Sequence, residues 1–224
     1  NWEFVGEVRI NGDLKDHIDI SNLISSLDVK LDTGSIFGIT RFKLLIPETR
    51  RSDNEVFSAN LLKHLNFLSP RTFYVESSVN RNKTHKFIFQ EKISKEMLEH
   101  NGFREGPIIE SNEKYIWNTS EDPFFRDDKK LTGDPLMFAR IINEEWANRS
   151  FENKIIAIEA VERFNKSLFA TLNDNQVNNE ILSEDTTYIY MFEAANRALI
   201  ANHGVATNHN RQFFYDRLTN TFIP

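Results

Sequence analysis

The stretch Ile39–Ile46, ITRFKLLI, decides how the first half of the chain is read. Thr40, Phe42, Leu44 and Ile46 fall on one side of a period-two repeat, and Ile39, Arg41, Lys43 and Leu45 on the other, which is the alternation of a β-strand. Pro47 lacks a backbone donor and ends it. Gly34 and Gly38 bracket a short loop just before it. Further upstream, Glu3–Ile10 (EFVGEVRI) and the run from Ile18 to Leu31 are β-branched and partly alternating, with a turn at Asn11-Gly12-Asp13. Downstream, Ser52-Asp53-Asn54-Glu55 reads as a capping box opening a helix through Leu65, with Phe57, Leu61 and Leu65 at four-residue steps. Thr72–Val79 and Lys86–Gln90 form a hairpin about the polar turn Asn80–Lys83. A short helix from about Ser94 to His100 completes this strand-rich half.

Residues 101 to 133 are punctuated by Gly102, Gly106-Pro107, Asp122-Pro123 and Gly133, and carry the charge cluster Arg126–Lys130. They read as a connection with one strand around Lys114–Trp117. Asp134-Pro135 is an N-cap and N1 pair that predicts a helix to about Asn148. Ile155, Ile158, Val161, Leu168 and Leu172 mark a helix over 152–172. Tyr188, Met191, Phe192, Ala195 and Leu199 form the stripe of another, from Asp185 to about Ala201. An aromatic strand, Gln212–Tyr215, a turn at Asp216–Asn220 and Thr221–Ile223 follow. The class is α+β: a strand-rich lobe over residues 1–101, a connection over 102–133 and a mainly helical lobe over 134–224.

Composition removes several function classes. The 224 residues hold 27 Lys plus Arg against 33 Asp plus Glu, a formal net charge of −6, which weighs against a general nucleic-acid binder. Without cysteine there is no disulfide, thiolate zinc site or cysteine nucleophile. No apolar run approaches the roughly 20 residues that span a bilayer. Neither G-x-G-x-x-G, nor G-x-x-x-x-G-K-[ST], nor G-x-S-x-G occurs. The chain begins at Asn1 with no signal-type pattern, so a fragment or a processed chain is expected. No residue pattern assigns a compartment or an oligomeric state. The 19 phenylalanines predict a Phe-rich core.

Three places hold residues able to do chemistry. Arg41 and Lys43 project from one strand face between Ile39 and Leu45, either as phosphate-binding cations beside apolar walls or as charges that blunt a solvent-facing strand. Glu91 continues the face of Phe87 and Phe89. A carboxylate there needs a cation across the sheet, unless it serves the first turn of the following helix. The loop Ala201–Asn210 (ANHGVATNHN) packs Asn202, Asn208, Asn210, His203 and His209 together, as an ordinary polar loop or as a metal or phosphate site, with no zinc spacing. Glu144, Glu145, Glu152, Glu159 and Glu162 read as solvated helix faces.

Taken in order, TGSIFGITRFKLL (33–45), the Asn54–Pro70 helix running into LSPR, FIFQEKI (87–93) and ANHGVATNHNRQFFYD (201–216) resemble the spore-coat protein H (CotH) family of atypical kinases. The resemblance covers most of 29–101 and 185–224. It implies a kinase-like bilobal fold that transfers phosphate from ATP, with Mg2+, to Ser or Thr of a protein. Lys43, with Arg41, would contact phosphate, and Glu91 would hold that cation in place. Asn210 would bind the metal, with Asn208 as the alternative. The family's catalytic Asp should stand five or six residues earlier, where this chain has His203, Gly204 and Val205. His203 would then act as base; the alternative is a pseudokinase or a non-catalytic module that binds a protein or surface partner. A second metal-binding Asp is expected beyond Pro224, so the chain is expected to stop short of its parent's C-terminal end.

Overall fold

Alternation over Arg41–Leu45 builds the central strand of a five-stranded sheet, seen in a computed structural model. The structure describes residues 2–12, 18–50, 53–80, 82–111, 139–174, 186–199 and 212–224. The chain divides into two compact units, Asn1–Arg104 and Glu105–Pro224.

In the first unit the strands are β1 (Gly6–Ile10), β2 (Ile18–Asp19), β3 (Ile24–Ser25), β4 (Leu27–Leu31), β5 (Arg41–Leu45), β6 (Thr72–Ser77) and β7 (His85–Glu91). The main sheet runs β1-β4-β5-β7-β6 with every pairing antiparallel, while β2 and β3 form a small separate hairpin. The Ile18–Leu31 run is therefore broken at residues 20–23, where Asp19 accepts bonds from the Ser21 and Asn22 backbone N–H groups. After β5 come a 3-10 turn, Pro47–Arg50, and helix α1 (Asp53–His64); helix α2 (Lys95–His100) follows β7 and is capped by Ser94.

One sheet face is aromatic. Val29, Phe42, Phe89 and Ile39 are buried there, with Leu27, Leu44, Phe73 and Val75 packed against them. Phe42 and Phe73 both stack on Phe89, at centroid distances of 4.3 and 4.9 Å, and Phe37 meets Phe73 edge-on at 5.8 Å. Helix α1 covers the β6 end of the sheet, yet not by its predicted stripe. Phe57 is 61% exposed, and Ala59 is the buried residue, its carbonyl accepting from the Ser69 hydroxyl at 2.8 Å. A small side chain there lets the 67–70 segment come close.

The second unit holds β8 (Ile108–Ser111), β9 (Ala139–Ile141), α3 (Glu144–Ala147), α4 (Phe151–Asp174), α5 (Thr186–Ala198), β10 (Gln212–Asp216) and β11 (Thr221–Ile223). Its sheet runs β11-β10-β8-β9, all antiparallel. This corrects the helix expected over 134–148: among its described residues 139–141 are strand, and only Glu144–Ala147 are helix. Ala139–Ile141 is a strand because β8 offers it a ladder, and Asn143 locks the junction by accepting from Ile108 N–H and donating to the Gly106 carbonyl. The core sets Phe164 against Phe213 and Phe222 at 5.1 and 5.6 Å. The α4 stripe is also one residue off the expected one: Ile156, Ala160 and Phe164 are buried, while Ile155 and Ile158 are exposed. Ile189, not its neighbours Tyr188 or Met191, anchors α5. Gly106 is required by close approach, since a Cβ there would come within 2.9 Å of the Phe214 ring. The strand expected around Lys114–Trp117 lies outside the described residues.

Candidate anion-binding site

The face of the first sheet opposite the aromatic one is charged. Register places Arg9, Asp28, Lys43, Gln90 and Thr72 side by side on β1, β4, β5, β7 and β6. Residues directly opposite on neighbouring strands point to the same side, so these five form one row across the sheet.

Most of the row is satisfied. Asp28 is buried and accepts from Lys92 Nζ at 2.8 and 3.1 Å and from Arg9 Nη2 at 2.8 Å. Burial by itself would raise the Asp28 carboxyl; the hydrogen bonds from Lys92 and Arg9 overcome it and hold the group below its ordinary range. Gln90 donates to Glu55 Oε1 of α1 at 2.6 Å, and the Thr72 hydroxyl donates to the Pro70 carbonyl at 3.1 Å.

Lys43 differs. It is half-buried and makes no hydrogen bond or ion pair among the described residues. Burial pushes its ammonium below the ordinary lysine value, and the charges of Lys92 and Arg50 push it the same way, against the weaker pull of Asp28 and Glu55. Arg50, at the end of the 3-10 turn, has a buried Nε with no hydrogen-bond partner. Lys43 and Arg50 thus repel each other, and neither the Lys43 ammonium nor Arg50 Nε has a hydrogen-bond partner among the described residues. A phosphate or carboxylate entering such a cluster would remove the repulsion and supply the missing acceptors at once, which makes it a candidate anion site.

Arg41 stands two residues from Lys43 in different company. Glu96, half-buried in α2, would be raised by burial; its hydrogen bonds to its own backbone, Ser94 and Thr40 and the charge of Arg41 bring it down instead. Arg41 is therefore balanced by a carboxylate.

Glu91 corrects the expected arrangement. It lies on the aromatic face, opposite Phe42 in register, whereas Lys43 points to the other side. Its partner is Arg71: Nε and Nη2 donate to the two carboxylate oxygens at 2.8 and 2.6 Å, and the Arg71 backbone N–H adds a bond at 3.2 Å. Its side chain is fully buried and that of Arg71 is 18% exposed, and Arg71 also donates to the Phe37 carbonyl at 2.8 Å. The carboxylate does have a cation across the sheet, but it closes a structural pair and does not hold Lys43. Sequence reading missed Arg71 because it sits one residue before β6; the signal was the cation of LSPR beside an apolar strand. Arg50 was missed for the same reason, lying beyond Pro47 at the end of β5.

His203, Asn208 and Asn210 lie outside the described residues. In the second unit, Ile141, Ala147, Ala157, Ile158 and Val161 line an open apolar groove of about 520 Å³. The whole is a mixed α+β protein of antiparallel sheets, its first unit carrying the charged row. No family model and no curated protein matches the chain.

Proposed function

We propose that the chain binds a nucleotide through the Lys43 face in the manner of a CotH-like atypical protein kinase. The observation that carries this reading is the half-buried Lys43 ammonium, without a hydrogen-bond partner among the described residues and repelled by Arg50 and Lys92. On this reading the phosphates of ATP are the anion, and the kinase-like arrangement of two lobes belongs to the same proposal. Lys43 and Arg50 meet the phosphates, Lys92 stays on Asp28, and Arg41 contributes charge at the rim. The acceptor Ser or Thr oxygen of a protein substrate bonds to the γ-phosphorus as the bond to the β,γ-bridging oxygen breaks. ADP leaves, and the hydroxyl proton passes to His203. Among the described residues no group of three or more His, Cys, Asp or Glu comes together to hold a metal. Asn210 or Asn208 would hold the Mg2+ of this proposal through an amide oxygen, a hard donor of the type it prefers, and the ion would offset phosphate charge.

Binding without transfer is the second reading, and one observation favours it: no aspartate occurs between Thr186 and Tyr215. Thermal unfolding with and without magnesium and ATP tests the shared part. A ligand at 100 times its dissociation constant adds about 2.7 kcal/mol of stability. Lys43→Met keeps the stem and should lose that gain. A Met variant that responds like wild type overturns the nucleotide assignment. Phosphoryl transfer to a protein acceptor, abolished by His203→Ala, selects the kinase; binding with no transfer selects the module.

A further inference from the structure

The two edges of the first sheet are treated differently. At β6, helix α1 packs alongside, and Asn60 Nδ2 reaches the Thr72 carbonyl at 3.4 Å. At β1 all five residues are exposed, Val8 at 62% and Ile10 at 60%. Edge strands in proteins that stay apart usually carry a proline, a bulge or repelling charges, lysine above all. Strand β1, GEVRI, has no proline, lysine or bulge; its two charges, Glu7 and Arg9, are opposite in sign, and its register with β4 is one-to-one from Gly6↔Leu31 to Ile10↔Leu27.

Its backbone shows which groups are open. Asp32 N–H donates to the Val5 carbonyl and Asn11 N–H to the Ser26 carbonyl, both at 2.8 Å, so the odd-numbered positions 5 and 11 bond towards β4. In an antiparallel ladder the direction alternates, so the N–H and C=O groups of Gly6, Val8 and Ile10 point outward.

We infer that β1 is a homodimer edge, on which a second copy of this chain adds its own β1 antiparallel, about a two-fold axis at Val8. In that register Val8 faces its own copy, Gly6 faces Ile10 of the second copy, and Glu7 faces Arg9 of the second copy. The three outward-pointing positions meet one another, giving about six hydrogen bonds, two for each pair. Opposite charges then lie across the axis on one face and apolar side chains on the other, both stabilising cross-strand pairs. A parallel mate would set Glu7 beside Glu7. The sequence of β1 is thus complementary to itself in one orientation only. Glycine at position 6 is required by β4 of its own sheet, since a Cβ there would collide with the Lys30 carbonyl oxygen.

Sedimentation velocity on the full chain over a range of concentrations tests this. A concentration-dependent dimer is expected, and Val8→Pro should raise its dissociation constant on the order of 100-fold, because it removes the outward N–H on both copies. That position donates nothing to β4, so circular dichroism and the unfolding temperature of the monomer should be unchanged. Val8→Lys gives the independent check: two ammonium groups meet at the axis, the dimer weakens, and added salt restores part of it. A synthetic peptide of residues 4–12 should compete. A monomer at every concentration, or a dimer indifferent to both variants, overturns the inference. A monomer that binds an unrelated extended peptide through β1 overturns it in favour of strand addition by another protein.

Discussion

Glu91 and Lys43 sit on neighbouring strands of one sheet, one residue out of phase, and their surroundings are opposite. Glu91 is buried on the aromatic face and bonded at both carboxylate oxygens by Arg71. Lys43 is half-buried with no such partner and with other cations beside it. Burial of charge is unfavourable in both places, and only the first is compensated within the chain. A closed pair serves the fold. An uncompensated cation is held at a cost in stability, which the proposed ligand would relieve.

The sharpest way to break this contrast is to open the closed pair. Arg71→Ala leaves a fully buried carboxylate uncompensated and should destabilise the first unit by about 3–5 kcal/mol, read from urea unfolding. A loss under 1 kcal/mol would mean water reaches Glu91 and the two faces are not different in kind.

Lys43→Met should do the reverse. Since the folded protein holds the Lys43 ammonium below its unfolded value, the unfolded chain binds more protons over the interval between the two, and wild-type stability rises with pH there. The Met variant should therefore be at least as stable as wild type at pH 7, with the gap closing as the pH approaches the ordinary lysine value of about 10.4. On the nucleotide proposal it should also lose the roughly 2.7 kcal/mol that ATP at 100 times its dissociation constant would add to wild type.

Asp28 sharpens the comparison from the acid side. Its folded value lies below the unfolded one of about 3.9, so its contribution is complete above that value and is lost as the pH falls through the folded value. Asp28→Asn should cost about 1.5–3 kcal/mol above pH 5, the range for hydrogen bonds to charged groups, and the difference from wild type should fade below about pH 4. A pH-independent difference would show that packing, not charge, is what Asp28 supplies. The smallest effect is expected away from the charged row: Ser94→Ala removes the α2 cap bond to Met97 N–H and should cost about 1 kcal/mol.

Local pattern carried much of the first unit. The period-two repeat of ITRFKLLI, the hairpin about Asn80–Lys83 and the Ser94 cap are short-range signals, and the structure has β5, the β6–β7 hairpin and α2 there. Signals failed where non-local packing outweighed propensity. The Asp134-Pro135 start predicts a helix running through residues 139–141, and pairing of those residues with β8 overrode it. On α4 the expected apolar residues Ile155 and Ile158 do lie on one side, but the side that buries is set by the sheet beneath, which selected the small Ala157 and Ala160 with Phe164.

For the site, the sequence alone determined which residues carry charge and, through alternation, that Lys43 and Glu91 each sit on a partly apolar strand. It also stated a need: a carboxylate following Phe87 and Phe89 must find a cation. Who meets whom was decided by tertiary structure. Arg71 lies 20 residues from Glu91, and Lys92 lies 64 from Asp28. Those distances along the chain close only when the register of five strands is set. A one-residue slip in that register turns every side chain to the other face, so the division into a closed pair and an open cation belongs to the assembled sheet and to no single segment.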